Sequence, residues 1–165
     1  MTWFKKVMVL AALICLVSAP AFAISGITVE TPQAKPWSNG QQMFMVSIAV
    51  VQPGATGISE FSLRGAMNDS GIDADFWIDI FTGGLLYEVV TDPGTQPDAT
   101  YTLAFDCYRG GSLLDIAAAS ATVTEHVDFS TDLGYNPVFW KDLDITVGDL
   151  GSANDATVIE IYIVK

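Results

Sequence analysis

The sequence predicts an all-β domain, a two-sheet antiparallel β-sandwich of eight or nine strands. Three observations lead there. Short runs rich in Val, Ile, Thr, Tyr and Phe alternate with clusters of Gly, Pro, Asn and Asp, which is the pattern of strands separated by turns. Beyond the N-terminal segment no long stretch carries apolar residues at i, i+3, i+4 and i+7, the spacing a helix needs. Setting aside residues 1–23 of the 165 leaves 142, Ile24 to Lys165, enough for one domain with its own core.

The elements follow in order. Residues 1–23 read as a secretory signal peptide: Lys5 and Lys6 form a positive start, Val7 to Val17 an apolar run, and Ala21-Phe22-Ala23 a small-residue cleavage site. The run is shorter than the ~20 residues a membrane span requires, so no membrane association is expected after cleavage. Candidate strands are Gly26–Thr31, Met43–Val51, Ser59–Ala66, Asp75–Phe81, Leu85–Thr91, Thr100–Arg109, Ala117–Thr124, Trp140–Val147 and Thr157–Val164. Gln52-Pro-Gly-Ala-Thr-Gly57 separates the second and third. Thr82-Gly-Gly84 reads as a tight hairpin between the fourth and fifth, because glycine tolerates positive φ. Asp92 to Asp98 and Gly148 to Asp155 are longer loops. Ala117–Ala121 is compatible with a short helix, but Thr122-Val-Thr124 favours a strand.

Alternation assigns faces. In Asp75–Phe81 it puts Phe76, Ile78 and Ile80 on one side and Asp75, Trp77, Asp79 and Phe81 on the other. Tyr101, Leu103, Phe105 and Cys107 share an apolar face, and Ile159, Ile161 and Ile163 point inward, leaving Glu160 and Tyr162 outside.

Charge and cysteine content narrow the function. Two of seven basic residues and none of 19 acidic ones leave with the signal, so the remainder carries five against 19, a net of −14. Such a chain repels nucleic acid and anionic membranes. Cys15 leaves as well, and Cys107 then has no intrachain disulfide partner.

Three site chemistries can be weighed. Trp77 and Phe81 beside Asp75 and Asp79 form a candidate ligand-binding face, with aromatic rings to stack on sugars and carboxylates to accept hydroxyl protons; Trp37, Tyr135 and Trp140 could add to it. Asp69, Asp73 and Asp75 cluster oxygen ligands in Asn68–Asp75, so a structural calcium is the one cofactor considered, although the spacing is not that of an EF-hand. Catalysis has little support. His126 is the only histidine, and Cys107 has core parity where an activated thiol needs an exposed setting.

One stretch resembles a known family. Ser62-Leu-Arg-Gly-Ala-Met-Asn-Asp-Ser-Gly-Ile72 is similar to the strand and turn of bacterial immunoglobulin-like domains; Phe76–Val90 follows as a strand pair around a glycine turn, and Pro97-Asp-Ala-Thr-Tyr-Thr-Leu103 is similar to their lead-in to a strand. The resemblance covers about residues 58–127. Ala99 and Arg109 depart from the pattern, and residues 128–165 extend past its usual end. A jelly-roll carbohydrate-binding module is the competing resemblance, through Thr100-Tyr-Thr-Leu-Ala-Phe-Asp106 and the late strands. Either implies a β-sandwich, and neither carries a universal functional residue. The expected function is a non-enzymatic secreted or periplasmic domain, acting as a structural or protein-interaction module with a protein or cell-envelope partner. Its alternatives are a polysaccharide-binding module and a subunit whose terminal strand, Ile24–Thr31 or Thr157–Lys165, completes a neighbour's sheet.

Overall fold

The computed structural model describes residues 26–52, 58–93, 100–120, 122–148, 150–151 and 155–165. The signal expected at residues 1–23 lies outside them, as do the centres of the loops at 53–57, 94–99 and 152–154. Among the described residues ten strands form two antiparallel sheets, the sandwich that the sequence predicts. They are β1 (Ile27–Val29), β2 (Gln33–Pro36), β3 (Gln42–Val51), β4 (Ile58–Ser62), β5 (Leu85–Asp92), β6 (Tyr101–Cys107), β7 (Ser112–Ala119), β8 (Glu125–Asp128), β9 (Leu143–Gly148) and β10 (Ala156–Val164). Three α-helices accompany them, α1 (Leu63–Asp69), α2 (Ala74–Phe81) and the single turn α3 (Phe129–Asp132), with a short 3-10 turn at Ser38–Gly40. Among the described residues no helix is long and apolar enough to cross a membrane.

The larger sheet runs β1-β3-β10-β5-β8, with β2 sharing the β1 edge of β3; the smaller runs β4-β9-β6-β7. Between them lies the core. Ile159, Ile161 and Ile163 pair with Ile48, Val46 and Phe44 across β10 and β3, and all three isoleucines are fully buried. Each contributes about 1.5–3 kcal/mol through removal of its apolar surface from water. Tyr101, Leu103 and Phe105 supply the same layer from β6. A buried hydrogen bond crosses between sheets: Tyr101 Oη and Thr157 Oγ1 are 2.8 Å apart. The Thr157 hydroxyl donates to the Asp92 carbonyl, so Tyr101 is the donor of the pair.

Asp75–Phe81 is helical, not a strand. Apolar residues at 76, 77, 78, 80 and 81 satisfy both periods, and the cap decides between them. Asp73 Oδ1 accepts from the Phe76 backbone N–H at 3.1 Å, which satisfies a donor that a helix start leaves free. The buried stripe is then Ala74, Ile78 and Phe81, a helical spacing. Likewise the strand expected over Ser59–Ala66 stops at Ser62, whose Oγ accepts from Gly65 N at 3.0 Å and caps α1. The motifs carrying the immunoglobulin-like resemblance at 62–81 therefore fold largely as helices. Thr82-Gly-Gly84 joins α2 to β5 rather than two strands. The segment Thr157–Lys165 is no spare edge: β10 is hydrogen-bonded on both sides, to β3 and β5.

Tyr162 faces outward from β10, as alternation predicts, yet it is partly covered. Burial first, and then its hydrogen bond to Glu160 Oε2 at 2.7 Å, push its pKa from 10.0 up to about 12. The folded state thus favours the neutral phenol. That contribution is complete below pH 10 and is lost as pH rises towards 12. Thermal melts between pH 9 and 12 are expected to fall more steeply for the native chain than for Tyr162→Phe, and equal slopes would refute the assignment.

Candidate functional site

The ligand-face and metal candidates on residues 69–81 do not converge. Phe81 is fully buried, with ring centroids at 5.7 Å to Phe44, 5.9 Å to Trp77 and 5.8 Å to Phe139. Trp77 is half-buried and packs against the core. Asp75 and Asp79, one turn apart, are exposed on the side of α2 away from Trp77 and Phe81, because a helix turns by about 100° per residue where a strand alternates. Phe81 therefore cannot offer a ring to a ligand. The proposed calcium ligands are also dispersed in role: Asp73 caps α2, Asp75 pairs with Arg64, and Asp69 is exposed at the end of α1. Among the described residues no three Asp, Glu, His or Cys side chains form a group able to hold a metal. His126 Nδ1 lies 2.7 Å from Glu88 Oε1 on the β5–β8 edge, separate from Cys107.

A different surface gathers exposed aromatic rings. A groove of about 550 Å³ is lined by Cys107, Tyr108, Arg109 and Leu113 on one wall and by Tyr135, Pro137, Val138 and Trp140 on the other. Its size is in the ~300–1,000 Å³ range of small-ligand sites. Tyr108, Tyr135 and Trp140 are 55%, 56% and 52% exposed.

The first wall is the β6–β7 hairpin. Gly110 N donates to the Cys107 carbonyl at 2.7 Å, and Cys107 N to the Gly111 carbonyl at 2.8 Å. Gly110 has φ +77°, so three residues turn the chain with a left-handed glycine in third place. Tyr108 and Arg109 take the two corner positions and stand out from the sheet. Cys107 continues the face of Tyr101, Leu103 and Phe105, but at the strand end it is only half-buried and reaches the groove.

The second wall is an extended segment laid beside residues 83–86. Gly83 N donates to the Phe139 carbonyl, Phe139 N to the Gly84 carbonyl and Leu86 N to the Pro137 carbonyl, at 2.8–2.9 Å. Alternation then works as it does in a strand: Pro137 and Phe139 are buried, Val138 and Trp140 exposed. Phe139 meets Phe81 edge to face. Phe81 thus belongs to the site from beneath, as the support of the segment that displays Trp140.

The segment ends in a strained turn. Asp142 N donates to the Trp140 carbonyl at 2.9 Å, and Lys141 between them has φ +69°. This i→i+2 bond around positive φ is the geometry of the rare γ-turn, and in a residue other than glycine it costs about 1–3 kcal/mol. Asp142 holds it. Its carboxylate is buried and accepts from Arg64 N at 3.0 Å and Leu143 N at 2.9 Å, while the Arg64 guanidinium reaches the Lys141 carbonyl. Burial raises the Asp142 pKa, opposed by the hydrogen bonds from Arg64 and Leu143. The result places Lys141 Nζ 5.6 Å from the Tyr108 ring centroid, so the turn links the two walls.

Sequence reading named Tyr135 and Trp140 as supplementary aromatics and passed over Tyr108. The signal available was Tyr108-Arg109-Gly110-Gly111, an aromatic and a cation at the corner of a glycine turn.

No protein family matches the sequence, and no curated protein does. Among solved structures, an arabinose-bound GH51 α-L-arabinofuranosidase aligns over 87% of this chain at 13% identity and TM-score 0.33, and this chain spans 23% of that one. The C-terminal CBM6 of LamC, a marine laminarinase from Zobellia galactanivorans, aligns over 87% of this chain and 95% of its own at 14% identity and TM-score 0.27. At those TM-scores neither similarity bears on the ligand or the chemistry of this chain.

Proposed function

We propose that this is an exported, non-enzymatic binding module that holds a polysaccharide in the Tyr108–Tyr135–Trp140 groove. The observation that supports it is the exposure of three aromatic rings along one open groove. Isolated exposed apolar side chains need no explanation, but a contiguous apolar surface does. The C–H faces of a pyranose ring carry partial positive charge and stack on the negative face of an aromatic ring. An open groove, unlike a closed cavity, admits the middle of a long chain. The carbohydrate reading therefore moves from α2, where Phe81 is buried, to the hairpin and the segment facing it.

Calorimetric titration with neutral and acidic hexasaccharides tests this. Binding of at least one is expected, and Trp140→Ala is expected to weaken it at least about tenfold, the loss of ~1.4 kcal/mol of stacking, with Tm unchanged. Bound sugar should also slow alkylation of Cys107. Absence of binding at millimolar concentration, or undiminished binding by Trp140→Ala, would overturn the reading in favour of a protein partner or a purely structural role.

A further inference from the structure

Five basic residues lie between residues 26 and 165: Lys35, Arg64, Arg109, Lys141 and Lys165. Two of these are otherwise engaged. Arg64 pairs with Asp75, and Lys165 Nζ donates to the carbonyls of Ile80 and Thr82 at 2.7 and 2.9 Å. Lys35 stands on the edge strand β2. The remaining two are both at the groove: Arg109 lines it, and Lys141 lies over its Tyr108. Among the described residues neither makes an ion pair. A chain with 19 acidic residues thus leaves the walls of its aromatic groove to cations.

The backbone supplies a second observation. Lys141 occupies the positive-φ position of the γ-turn, where glycine would fit without strain. Asp142 and Arg64 hold the chain in that conformation, and its outcome is an ammonium presented above the ring. Strain maintained by surrounding structure is a pointer to function.

We propose that the groove selects an acidic sugar, a pyranose ring bearing a carboxylate or a sulfate; this rests on the polysaccharide reading above. The ring lies on the aromatic faces. Its anionic group meets the Arg109 guanidinium, whose planar fork suits paired acceptor oxygens, and the Lys141 ammonium, a point charge. The acidic balance of the whole chain opposes an anion at long range. At physiological salt, charges beyond about 8 Å are largely screened, so the two cations nearest the ligand decide.

The test uses hexagalacturonate, its fully methyl-esterified form, and a sulfated dextran oligosaccharide with its unsulfated parent, titrated at 0.15 M salt. At least one acidic probe is expected to bind about tenfold or more tightly than its uncharged counterpart, and which one does so identifies the anionic group. Arg109→Gln and Lys141→Gly are each expected to weaken the acidic probe several-fold more than its uncharged counterpart, so that the ratio of the two affinities falls towards one. Lys141→Gly keeps the backbone favourable, so folding is not at stake. Equal binding of charged and uncharged probes, or a preference that survives both substitutions, would overturn acid selection and leave the polysaccharide reading standing. No binding of any probe would overturn both.

Discussion

Phe81→Ala is expected to lower the unfolding free energy by about 3–5 kcal/mol, the cost of emptying a fully buried phenylalanine site. For a domain of this size that is a fall of roughly 10–15 °C in Tm. Phe76→Ala, on an adjacent turn but 56% exposed, is expected to stay within about 0.5 kcal/mol of the native chain. The pair separates two readings of one segment. As a strand, Phe76 points inward with Ile78 and Ile80 while Phe81 faces out, so the two effects would be reversed. Chemical denaturation of both variants gives the answer in one experiment. Because Phe81 supports Phe139, and Phe139 the segment that displays Trp140, Phe81→Ala is also expected to weaken any ligand of the groove without touching it.

The second large effect is at Asp142. Asp142→Ala leaves the Arg64 and Leu143 backbone N–H groups without their acceptor, at a cost of roughly 2–3 kcal/mol. Asp142→Asn retains an acceptor oxygen in the same place and is expected to be much closer to the native chain. The pH dependence distinguishes the charge from the hydrogen bonds. Burial raises the folded-state pKa above 3.8, so the folded state binds this proton more readily than the unfolded state. The resulting stabilisation is complete below 3.8 and is lost as pH rises through the raised value. Urea unfolding followed as pH falls from neutrality towards 3.8 should therefore show a stabilising component on acidification that Asp142→Asn lacks. If both proteins follow the same pH curve, the buried charge has been misassigned.

The sandwich was legible in sequence where side chains repeat with period two against a buried face. Ile159, Ile161 and Ile163, and Tyr101, Leu103 and Phe105, are all buried as alternation requires. It misled at α2 because Phe76 to Phe81 is apolar at nearly every position, so that the hydrophobic pattern fits two periods. The deciding information was local and polar, the caps at Ser62 and Asp73. β2 escaped notice because all four of its residues are exposed and leave no hydrophobic pattern. Two rings of the groove, Tyr135 and Trp140, were legible as candidate aromatics, but their meeting with Tyr108 was not. The walls are about 30 residues apart in sequence, and they meet only because β6 pairs with β9 and residues 137–139 lie along 83–86. Nothing in a lysine announces a left-handed backbone.

The position of β10 has a consequence for when this domain can form. It comes latest of the described strands and stands between β3 and β5, which join the same sheet only through it. Until residues 156–164 have left the ribosome, the larger sheet is two separate halves with exposed edges. Folding must then wait for a pairing over more than a hundred residues of separation, between Val164 and Met43, and such long-range closure is slow. A nascent chain of this design cannot complete its larger sheet while it is being made, although β4, β6, β7 and β9 of the smaller sheet have all been synthesised before β10.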